Sequence, residues 1–190
     1  EDYLFAPRLS PDQQRLLYLN RDYDYAPDNY EPVAFDLAVN QLGLLDLDAG
    51  SPTLFVEETE GGALGMDAAW SPDGALGLFA EGRYGNGTFA SLTLKTVTEA
   101  GSVTDVGPVP LPPGGYLVSL AWCSQETALV VVATSEGAHE LHTVNVNSGA
   151  SSRVASNDYA FVLGCVSQSS EGSEANADVV RVRAVQTAGP

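Results

Sequence analysis

The stretch DAAWSPDGALGLFAEG, residues 67–82, places a tight turn between two apolar runs. Proline presets φ at the second position of such a turn, and Asp-Gly at the next two positions suits a reversal of the chain. A related stretch, PRLSPDQQRLLYLN, occupies residues 7–20, with Gln13 where the later copy has Gly74. The two copies predict a repeated unit of strand, tight turn and second strand.

Weaker copies of the turn follow later in the chain. The sequence CSQ at residues 123–125 follows Trp122 as the SPDG turn follows Trp70, and YLVSLAWCSQ from Tyr116 aligns with YAFVLGCVSQ from Tyr159. A second turn recurs in LDLDAGS, VTEAGS and VNVNSGA, whose glycines at positions 50, 101 and 149 are 51 and 48 residues apart. We therefore expect Trp70 and Trp122 to be equivalent, largely buried positions on successive inner strands.

The rest of the sequence favours strands over helices. No window keeps an apolar helical stripe for three turns, and 19 glycines and 11 prolines punctuate the chain. Short apolar or alternating runs bounded by turn residues predict strands. These runs are 16–19, 42–47, 76–80, 92–97, 117–122, 129–133, 141–146, 161–166 and 179–185. With a more polar outer strand such as PTLFVEE or SRVAS, each unit reads as four antiparallel strands in about 45 residues.

The turn from Trp70 to Gly74 resembles the TolB-type, WD40-like propeller repeat, in which an SPDG turn joins the first two strands of a blade. Related blades form the propeller domains of prolyl-oligopeptidase-like enzymes. The resemblance covers most of residues 5–157, although the dipeptide WD itself never occurs. It implies an all-β fold, a propeller-like array of about four four-stranded antiparallel blades, complete or incomplete. A β-sandwich of about ten strands is the alternative.

The repeat divides a single domain of residues 1–190 into units of about 5–60, 65–113 and 115–157, with a partial unit at 157–190. Propellers close with about four to eight blades. Either the stretch EDYLFA from Glu1 completes the last unit as a strand, or the sheets at the two ends stay open. We expect open ends, because QSSEGSEANAD at residues 168–178 reads as a polar loop.

The charge of the chain limits its partners. Eight Lys and Arg residues against 25 Asp and Glu residues leave a formal net charge of −17. Such a surface repels phosphate backbones and anionic membranes, so we expect neither nucleic-acid binding nor membrane insertion. The longest uninterrupted apolar run, Ala128–Ala133, is far too short for a membrane span.

The two cysteines, Cys123 and Cys165, fall near the ends of inner strands of adjacent units, one residue out of register. Inner strands converge on the axis of a propeller, which brings the two residues towards bonding distance. A disulfide needs Cα atoms within about 7 Å, and strands one residue out of phase point their side chains differently. The sequence therefore leaves both a disulfide and two free thiols open.

The stretch RDYDYAPDNYEP, residues 21–32, interleaves acidic residues with tyrosines between the second and third predicted strands of the first unit. Tyrosine anchors protein interfaces at low entropic cost, which favours a contact loop. Its candidate contact residues are Tyr23, Asp24, Tyr25, Asp28 and Tyr30. A solvated acidic loop is the plain alternative, and we expect residues 22–40 to be the largest irregular excursion from the repeat.

Calcium is a weaker alternative for the same loop, with Asp22, Asp24 and Asp28 as candidate ligands. An EF-hand loop needs Gly at its sixth position and Glu at its twelfth. Counted from Asp22, those positions hold Pro27 and Val33, so that motif fails.

Other candidate sites are weak. His139 and His142 are the only histidines, and residues three apart lie on opposite faces of a strand, so we expect surface polar residues and no shared zinc. No G-x-S-x-G nucleophile elbow occurs. EGRYGNGTF, residues 81–89, reads as a hairpin that turns at Asn86-Gly87 and not as a phosphate cradle. The residues Asn86-Gly87-Thr88 also form a glycosylation sequon.

These observations favour a non-catalytic binding or scaffolding propeller that contacts a protein partner in the cell envelope or outside the cell, with no cofactor and no metal. The first alternative is an accessory propeller of a larger serine hydrolase or peptidase, as the resemblance implies. The second is a structural subunit that self-associates through open blade edges, because unpaired strand edges invite pairing. Fold alone does not choose among the three.

Overall fold

The computed structural model describes residues 2–22, 41–50, 52–57, 62–85 and 88–157, together with Cys165. These residues form twelve β-strands. Nothing in the described part of the chain forms a helix long and apolar enough to cross a membrane. The strands make three separate four-stranded antiparallel sheets, each built from strands that follow one another in the chain.

Each sheet is one blade of the repeat. The first blade holds β1 (Asp2–Leu9), β2 (Arg15–Asp22), β3 (Gln41–Asp46) and β4 (Pro52–Glu57). The second holds β5 (Gly62–Trp70), β6 (Leu76–Gly85), β7 (Thr88–Thr98) and β8 (Val103–Pro108). The third holds β9 (Tyr116–Trp122), β10 (Thr127–Ala133), β11 (His139–Asn145) and β12 (Ser151–Asn157).

The blades pack in sequence through their first strands. β5 contacts both β1 and β9, and it also contacts β2 of the preceding blade. A two-sheet sandwich does not describe three sheets that pack one after another, so the arrangement is that of propeller blades around their inner strands. The polar outer strands β8 and β12 are largely exposed, as the sequence predicts.

Every blade has a leading face, which turns towards the preceding blade, and a trailing face, which turns towards the next. The pairings Trp70↔Gly77 and Trp122↔Ala128 fix these faces, because residues directly opposite in a sheet share a face. Phe79 and Val97 lie on the leading face of the second blade and pack with Leu17, Leu19 and Leu42 of the first. Trp122, Ala128, Val130 and Val144 lie on the leading face of the third blade and pack with Leu78, Ala80 and Leu94 of the second.

Strands covered on both faces explain the consecutive apolar runs. Leu129, Val130, Val131, Val132 and Ala133 are at most 1% exposed, although alternate residues point in opposite directions. The trailing face of the third blade forms a further core from Ala121, Leu129, Val131 and Leu141, against which Cys123 and Cys165 pack. Apart from Cys165, the predicted strands at 161–166 and 179–185 lie outside the described residues.

The first strand of the chain belongs to the first blade. Of the two alternatives for EDYLFA, the one in which it completes the last unit is wrong, because residues 2–9 form β1 and pair with β2. β1 leads directly into the turn at Ser10, as β5 leads into the turn at Ser71. β1 is therefore the inner strand of the first blade.

The predicted turns appear where the repeat places them. Gly50, Gly101 and Gly149 adopt φ values of 65°, 81° and 71°, in the left-handed region that favours glycine. β6 and β7 pair up to Gly85 and Thr88, and the predicted turn residues between them, Asn86 and Gly87, lie outside the described residues. Residues 23–40 separate β2 from β3, which is the longest connection between described strands; the course of this loop lies outside the described residues.

Candidate functional site

The Ser-Pro-Asp turn is held by its own side chains. Ser71 Oγ donates to Asp73 Oδ1 at 2.6 Å and accepts the Leu76 amide at 2.9 Å. Asp73 Oδ1 also accepts the Ala75 amide at 3.0 Å. Ser10, Asp12 and Arg15 repeat the same set of bonds in the first blade. The motif therefore recurs because both side chains satisfy amides that the tight turn leaves unpaired.

The same bonds shift the acidity of the two turn carboxylates. The Ser71 hydroxyl, followed by the Ala75 amide, lowers the pKa of Asp73 below its usual value. The Ser10 hydroxyl and the Gln14 amide lower the pKa of Asp12 in the same way. Donors that bond a carboxylate favour its charged form, so both turns are built around ionised aspartates.

The third turn is shorter, which explains why its sequence is degenerate. Ser10 and Ser71 each donate their amide to the carbonyl five residues later. Cys123, at the equivalent position, donates its amide to the carbonyl of Thr127, four residues later, at 2.8 Å. With one residue fewer, the turn does without both proline and aspartate, and Cys123 takes the place of the serine.

The inner strands meet at one buried carboxylate, Asp67 of β5. Arg8 of β1 donates to its Oδ1 from Nη2 at 2.7 Å, and to Oδ2 at 2.9 Å. The Leu120 amide of β9 donates to Oδ2 at 2.8 Å, and the Ala68 amide to Oδ1 at 2.9 Å. Asp67 therefore links the first strands of all three blades.

A register shift in the backbone redirects the Asp67 side chain. Asp67 lies between Leu64 and Ala68, where the register between β5 and β6 shifts, and such bulges redirect side chains. The β1–β2 register also shifts just before Arg8. The Asp67 side chain is 4% exposed and that of Arg8 is 35% exposed. Burial raises the pKa of Asp67, while the Arg8 guanidinium and the Leu120 amide oppose that shift.

The two tryptophans occupy equivalent positions, as expected, but their surroundings differ. Trp70 and Trp122 are the last residues of β5 and β9. Trp70 is half-buried; its Nε1 donates to the Arg8 carbonyl at 2.8 Å, and the Arg15 guanidinium lies 5.1 Å from its ring centroid. Trp122 is 9% exposed, and its Nε1 bonds to none of the described residues.

The histidines are buried, contrary to the expectation of surface residues. His139 and His142 are each 7% exposed on β11, a strand packed between two neighbours. His142 lies 3.1 Å from Glu140 Oε2, and Arg153 donates to Glu140 Oε1 at 2.9 Å. These donors lower the pKa of Glu140, with the His142 bond the larger cause. The described residues contain no group of three or more His, Cys, Asp or Glu placed to hold a metal ion.

Lys95 occupies the position of the second blade that His142 occupies in the third. Lys95 pairs with Phe79 across the sheet, and His142 pairs with Val130 in the same way. Lys95 Nζ lies 2.8 Å from Glu81 and 3.2 Å from Asp105. Burial works against the charge on Lys95, but the bonds to the two carboxylates outweigh it and raise the pKa. Both positions thus carry a charged cluster on a leading face.

The candidate contact loop lies mostly beyond what the structure describes. Asp22 is the last residue of β2, and nothing is described of Tyr23, Asp24, Tyr25, Asp28 and Tyr30, so both the contact loop and the calcium ligands stay predictions. The structure does bring Cys123 and Cys165 together: it joins them as a disulfide, with Cα atoms 4.9 Å apart. Sequence reasoning missed Asp67, because a single aspartate before Ala68 carries no motif.

Comparison with solved structures finds the same fold at low sequence identity. Oligogalacturonate lyase in complex with manganese matches with a TM-score of 0.60 and 16% identity, over 80% of this chain and 36% of that chain. The acylaminoacyl peptidase of Pyrococcus horikoshii matches with a TM-score of 0.53 and 14% identity, over 82% and 25% of the two chains. A puromycin hydrolase variant matches with a TM-score of 0.52 and 19% identity, over 80% and 22%.

The matched parts are β-propeller domains. The fold is a β-propeller. The chain spans about a third or less of each of these three proteins, and at this level of identity the likeness establishes the fold alone. No protein-family model matches the sequence, and no curated protein sequence does.

Proposed function

We propose that this chain is a non-catalytic β-propeller module of the TolB-like kind, which binds a protein partner in the cell envelope or outside the cell. One observation carries the proposal: the buried polar groups of the inner strands already hold the blades together. Asp67 accepts bonds from Arg8, Ala68 and Leu120. The hydroxyl groups of Ser10 and Ser71 are bonded within their turns. Because these polar groups are already hydrogen-bonded within the protein, they support a binding role over a catalytic role.

Charge supports a protein partner over the other macromolecules. A net charge of −17 repels nucleic acid and anionic membranes and attracts basic protein surfaces. The tyrosine-rich loop of residues 21–32 is the proposed contact region, because tyrosines combine apolar area with a hydrogen-bonding hydroxyl. The proposed partner therefore presents a neutral or basic surface to this loop.

Deletion of residues 23–31 tests this proposal. The deleted residues lie between the described strands β2 and β3, and we expect the variant to keep the urea midpoint of the wild type. A partner identified by cross-linking and then purified should bind the variant at least about tenfold more weakly in calorimetry, since contact residues of this kind dominate binding. Equal affinity of the two chains, or hydrolytic turnover by the purified chain, would contradict the proposal.

Two further measurements refine the same test. If the deletion variant no longer unfolds cooperatively, the loop is structural, and the binding comparison moves to Tyr25→Ser and Tyr30→Ser in the full chain. A rise of several degrees in Tm on adding Ca²⁺ would favour the calcium alternative over a contact loop.

The proposed compartment rests on the disulfide, because such bonds persist in oxidising environments. Thiol titration of unfolded, unreduced protein should find no free thiol at Cys123 and Cys165. Two thiols per chain would contradict both the bond and the argument for the compartment.

A second candidate is an accessory propeller of a larger hydrolase. It is favoured by the likeness to two hydrolases of which this chain covers 25% and 22%. A catalytic domain encoded in the same reading frame would support this candidate over a stand-alone binding module.

A further inference from the structure

The three described blades are oriented alike, so their strand connections gather at two ends. The bonds from Arg8 and Leu120 to Asp67 join β1, β9 and β5 within the last four residues of each strand. The three first strands therefore run in the same direction. We call the end at which they finish the turn end, because each leads there into the first turn of its blade. The opposite end, where they begin, is the entry end.

The acidic side chains of the turn end are largely bonded within the protein. Asp12 and Asp73 accept amides of their own turns, and Asp46 accepts two amides of the turn that follows it. Arg15 pairs with both Asp12 and Glu99. These carboxylates stabilise the turns themselves, which leaves the entry end as the more available surface for a charged partner.

The connections at the entry end are acidic and contain no basic residue. Between described strands, these connections are residues 23–40, 58–61, 86–87, 109–115 and 134–138. Their acidic residues are Asp24, Asp28, Glu31, Asp36, Glu58, Glu60 and Glu136. The strand ends beside them carry Asp2, Arg21, Asp22, Glu57 and Arg83. The entry end therefore attracts positive charge.

An exposed aromatic residue accompanies this charge in the third blade. Tyr116, the first residue of β9, is 46% exposed and pairs with Ala133 at the end of β10. Glu136 follows in the next connection and is exposed. A Cβ at Gly114 would lie 3.4 Å from the Ser135 Cβ, so the segment before Tyr116 packs against the connection that holds Glu136. Tyr116 and Glu136 thus belong to adjoining segments.

We propose that the entry end binds an arginine-rich segment of a partner protein, and that Tyr116 and Glu136 extend to the third blade the contact made by residues 21–32. This inference rests on the proposed function and narrows its partner to a basic one. The tyrosine-rich loop is attached at the same end, because it follows Asp22, which pairs with Asp2 at the start of β1.

The chemistry of the entry end suits arginine in particular. A guanidinium group is planar, so it can stack on a tyrosine ring while its N–H groups pair with a carboxylate. Tyrosine and acidic residues alternate in the loop, and Tyr116 and Glu136 repeat the combination. A second copy of this chain and a nucleic acid both carry net negative charge, which opposes their binding here.

Fluorescence anisotropy of the full chain with a labelled peptide of alternating Arg and Ser tests the proposal. A second peptide with Gln in place of Arg gives the charge dependence, at about 150 mM salt. The wild type should bind the arginine peptide at least about tenfold more tightly than the glutamine peptide. Tyr116→Ser and Glu136→Gln should each weaken binding of the arginine peptide about threefold, and the double variant about tenfold.

Glu126→Gln is the matched control for Glu136→Gln. Both glutamates are exposed and lie in the connections on either side of β10, Glu126 at the turn end and Glu136 at the entry end. β10 separates them by roughly 20 Å, beyond the screening length of about 8 Å at this salt concentration. Glu126→Gln should therefore leave the affinity unchanged. Val154→Ser, at a position 58% exposed on β12, serves as the control for Tyr116→Ser.

Three results would overturn the proposal. The first is equal affinity of the wild type for the two peptides. The second is unchanged affinity in both Tyr116→Ser and Glu136→Gln. The third is an equal loss in Glu126→Gln and Glu136→Gln, which would indicate a general attraction to the acidic chain. All these variants keep residues 21–32, so a failure here is distinguishable from a failure of the loop deletion to weaken partner binding.

Discussion

At the scale of single residues, the first turn shows how the Ser-Pro-Asp pattern tolerates an unfavourable substitution. Gln13 has a φ of 62°, in the place where Gly74 has a φ of 72°. A non-glycine residue there costs about 1 kcal/mol or more. The turn survives because Ser10 and Asp12 bond the same amides as Ser71 and Asp73. The local hydrogen bonds offset the strain of one residue.

Replacing Gln13 by Gly should therefore stabilise the protein. We expect a gain of about 1 kcal/mol, because glycine adopts this φ without steric strain, and a rise in Tm of about 2–4 °C for a chain of this size. Gln14→Gly is the control, since Gln14 is exposed and has no positive φ; it should lower Tm or leave it unchanged. A fall in Tm for Gln13→Gly would contradict the backbone assignment.

The turn aspartates should make stability depend on pH in the acid range. The pKa of Asp73 is lowered in the folded chain, chiefly by Ser71. Its stabilising contribution is therefore present above the unfolded value near 4 and is lost as the pH falls through the folded value. The pKa of Asp67 is raised, so its own titration has the opposite sign.

Ser71→Ala isolates the contribution of the turn. At neutral pH it should cost about 1–2 kcal/mol, because ionised Asp73 loses the Ser71 hydroxyl as a donor and the part-buried Leu76 amide loses its acceptor. The part of this deficit that comes from Asp73 should disappear as the pH falls below about 4, since the wild type then loses the bond between Ser71 and the ionised carboxylate. Urea midpoints of both chains between neutral and acid pH measure this, and a deficit that does not change with pH would count against it.

At the scale of elements, side-chain bonds and close backbone contacts join neighbouring blades at several distances from the inner strands. Asp67 links the three inner strands, and Arg15 donates to the Gly74 carbonyl at 3.0 Å between the first two turns. Farther from the inner strands, Gly107 of β8 approaches Gly149 of the next blade closely. A Cβ at Gly107 would lie 2.9 Å from the Gly149 Cα, so only glycine allows this approach. Blade packing therefore rests on specific positions as well as on apolar faces.

The Arg8–Asp67 pair should be strongly coupled. Asp67→Ala should cost about 3 kcal/mol, because it leaves a part-buried guanidinium and the Leu120 amide without their acceptor. Arg8→Ala should also destabilise, and the double variant should cost less than the sum, with a coupling of about 1–3 kcal/mol.

Urea unfolding of the four chains in that cycle measures the coupling. The control is Arg153→Ala. The Arg153 side chain, which forms an ion pair with Glu140, is 61% exposed, so its removal should lower the free energy of unfolding by about 1 kcal/mol at most. Additive effects of the two single variants would show that Arg8 and Asp67 do not interact in solution.

At the scale of the whole molecule, the sequence predicts the repeat and therefore the fold class. Two SPD turns, a Gly-based second turn and apolar runs of strand length recur with a spacing that suits one blade. The strands β2, β3, β10 and β11 overlap runs that the sequence identifies. Local chemistry accounts for this success, because each turn depends on residues within six positions of one another.

Contacts between blades could not be predicted in the same way. Asp67 has no counterpart that repeats along the chain, and the equivalent position in the third blade is Ser119, so periodicity gives no signal. His142 is buried on the face of β11 whose Val144 packs in the core between the second and third blades. A Cβ at Gly43 would collide with the Tyr18 ring across the sheet. Each of these features arises from partners far apart in sequence, which a local pattern does not encode.

Asp67 ties together the inner strands around which the three described blades follow one another. Hydrogen exchange of the Leu120 amide measures this tie, because that amide donates to Asp67 Oδ2 and not to β10. Leu120 should be protected nearly as well as the central strand β10, and Asp67→Ala should remove this protection selectively. Exchange of Leu120 in the wild type as fast as that of the exposed outer strand β12 would contradict it.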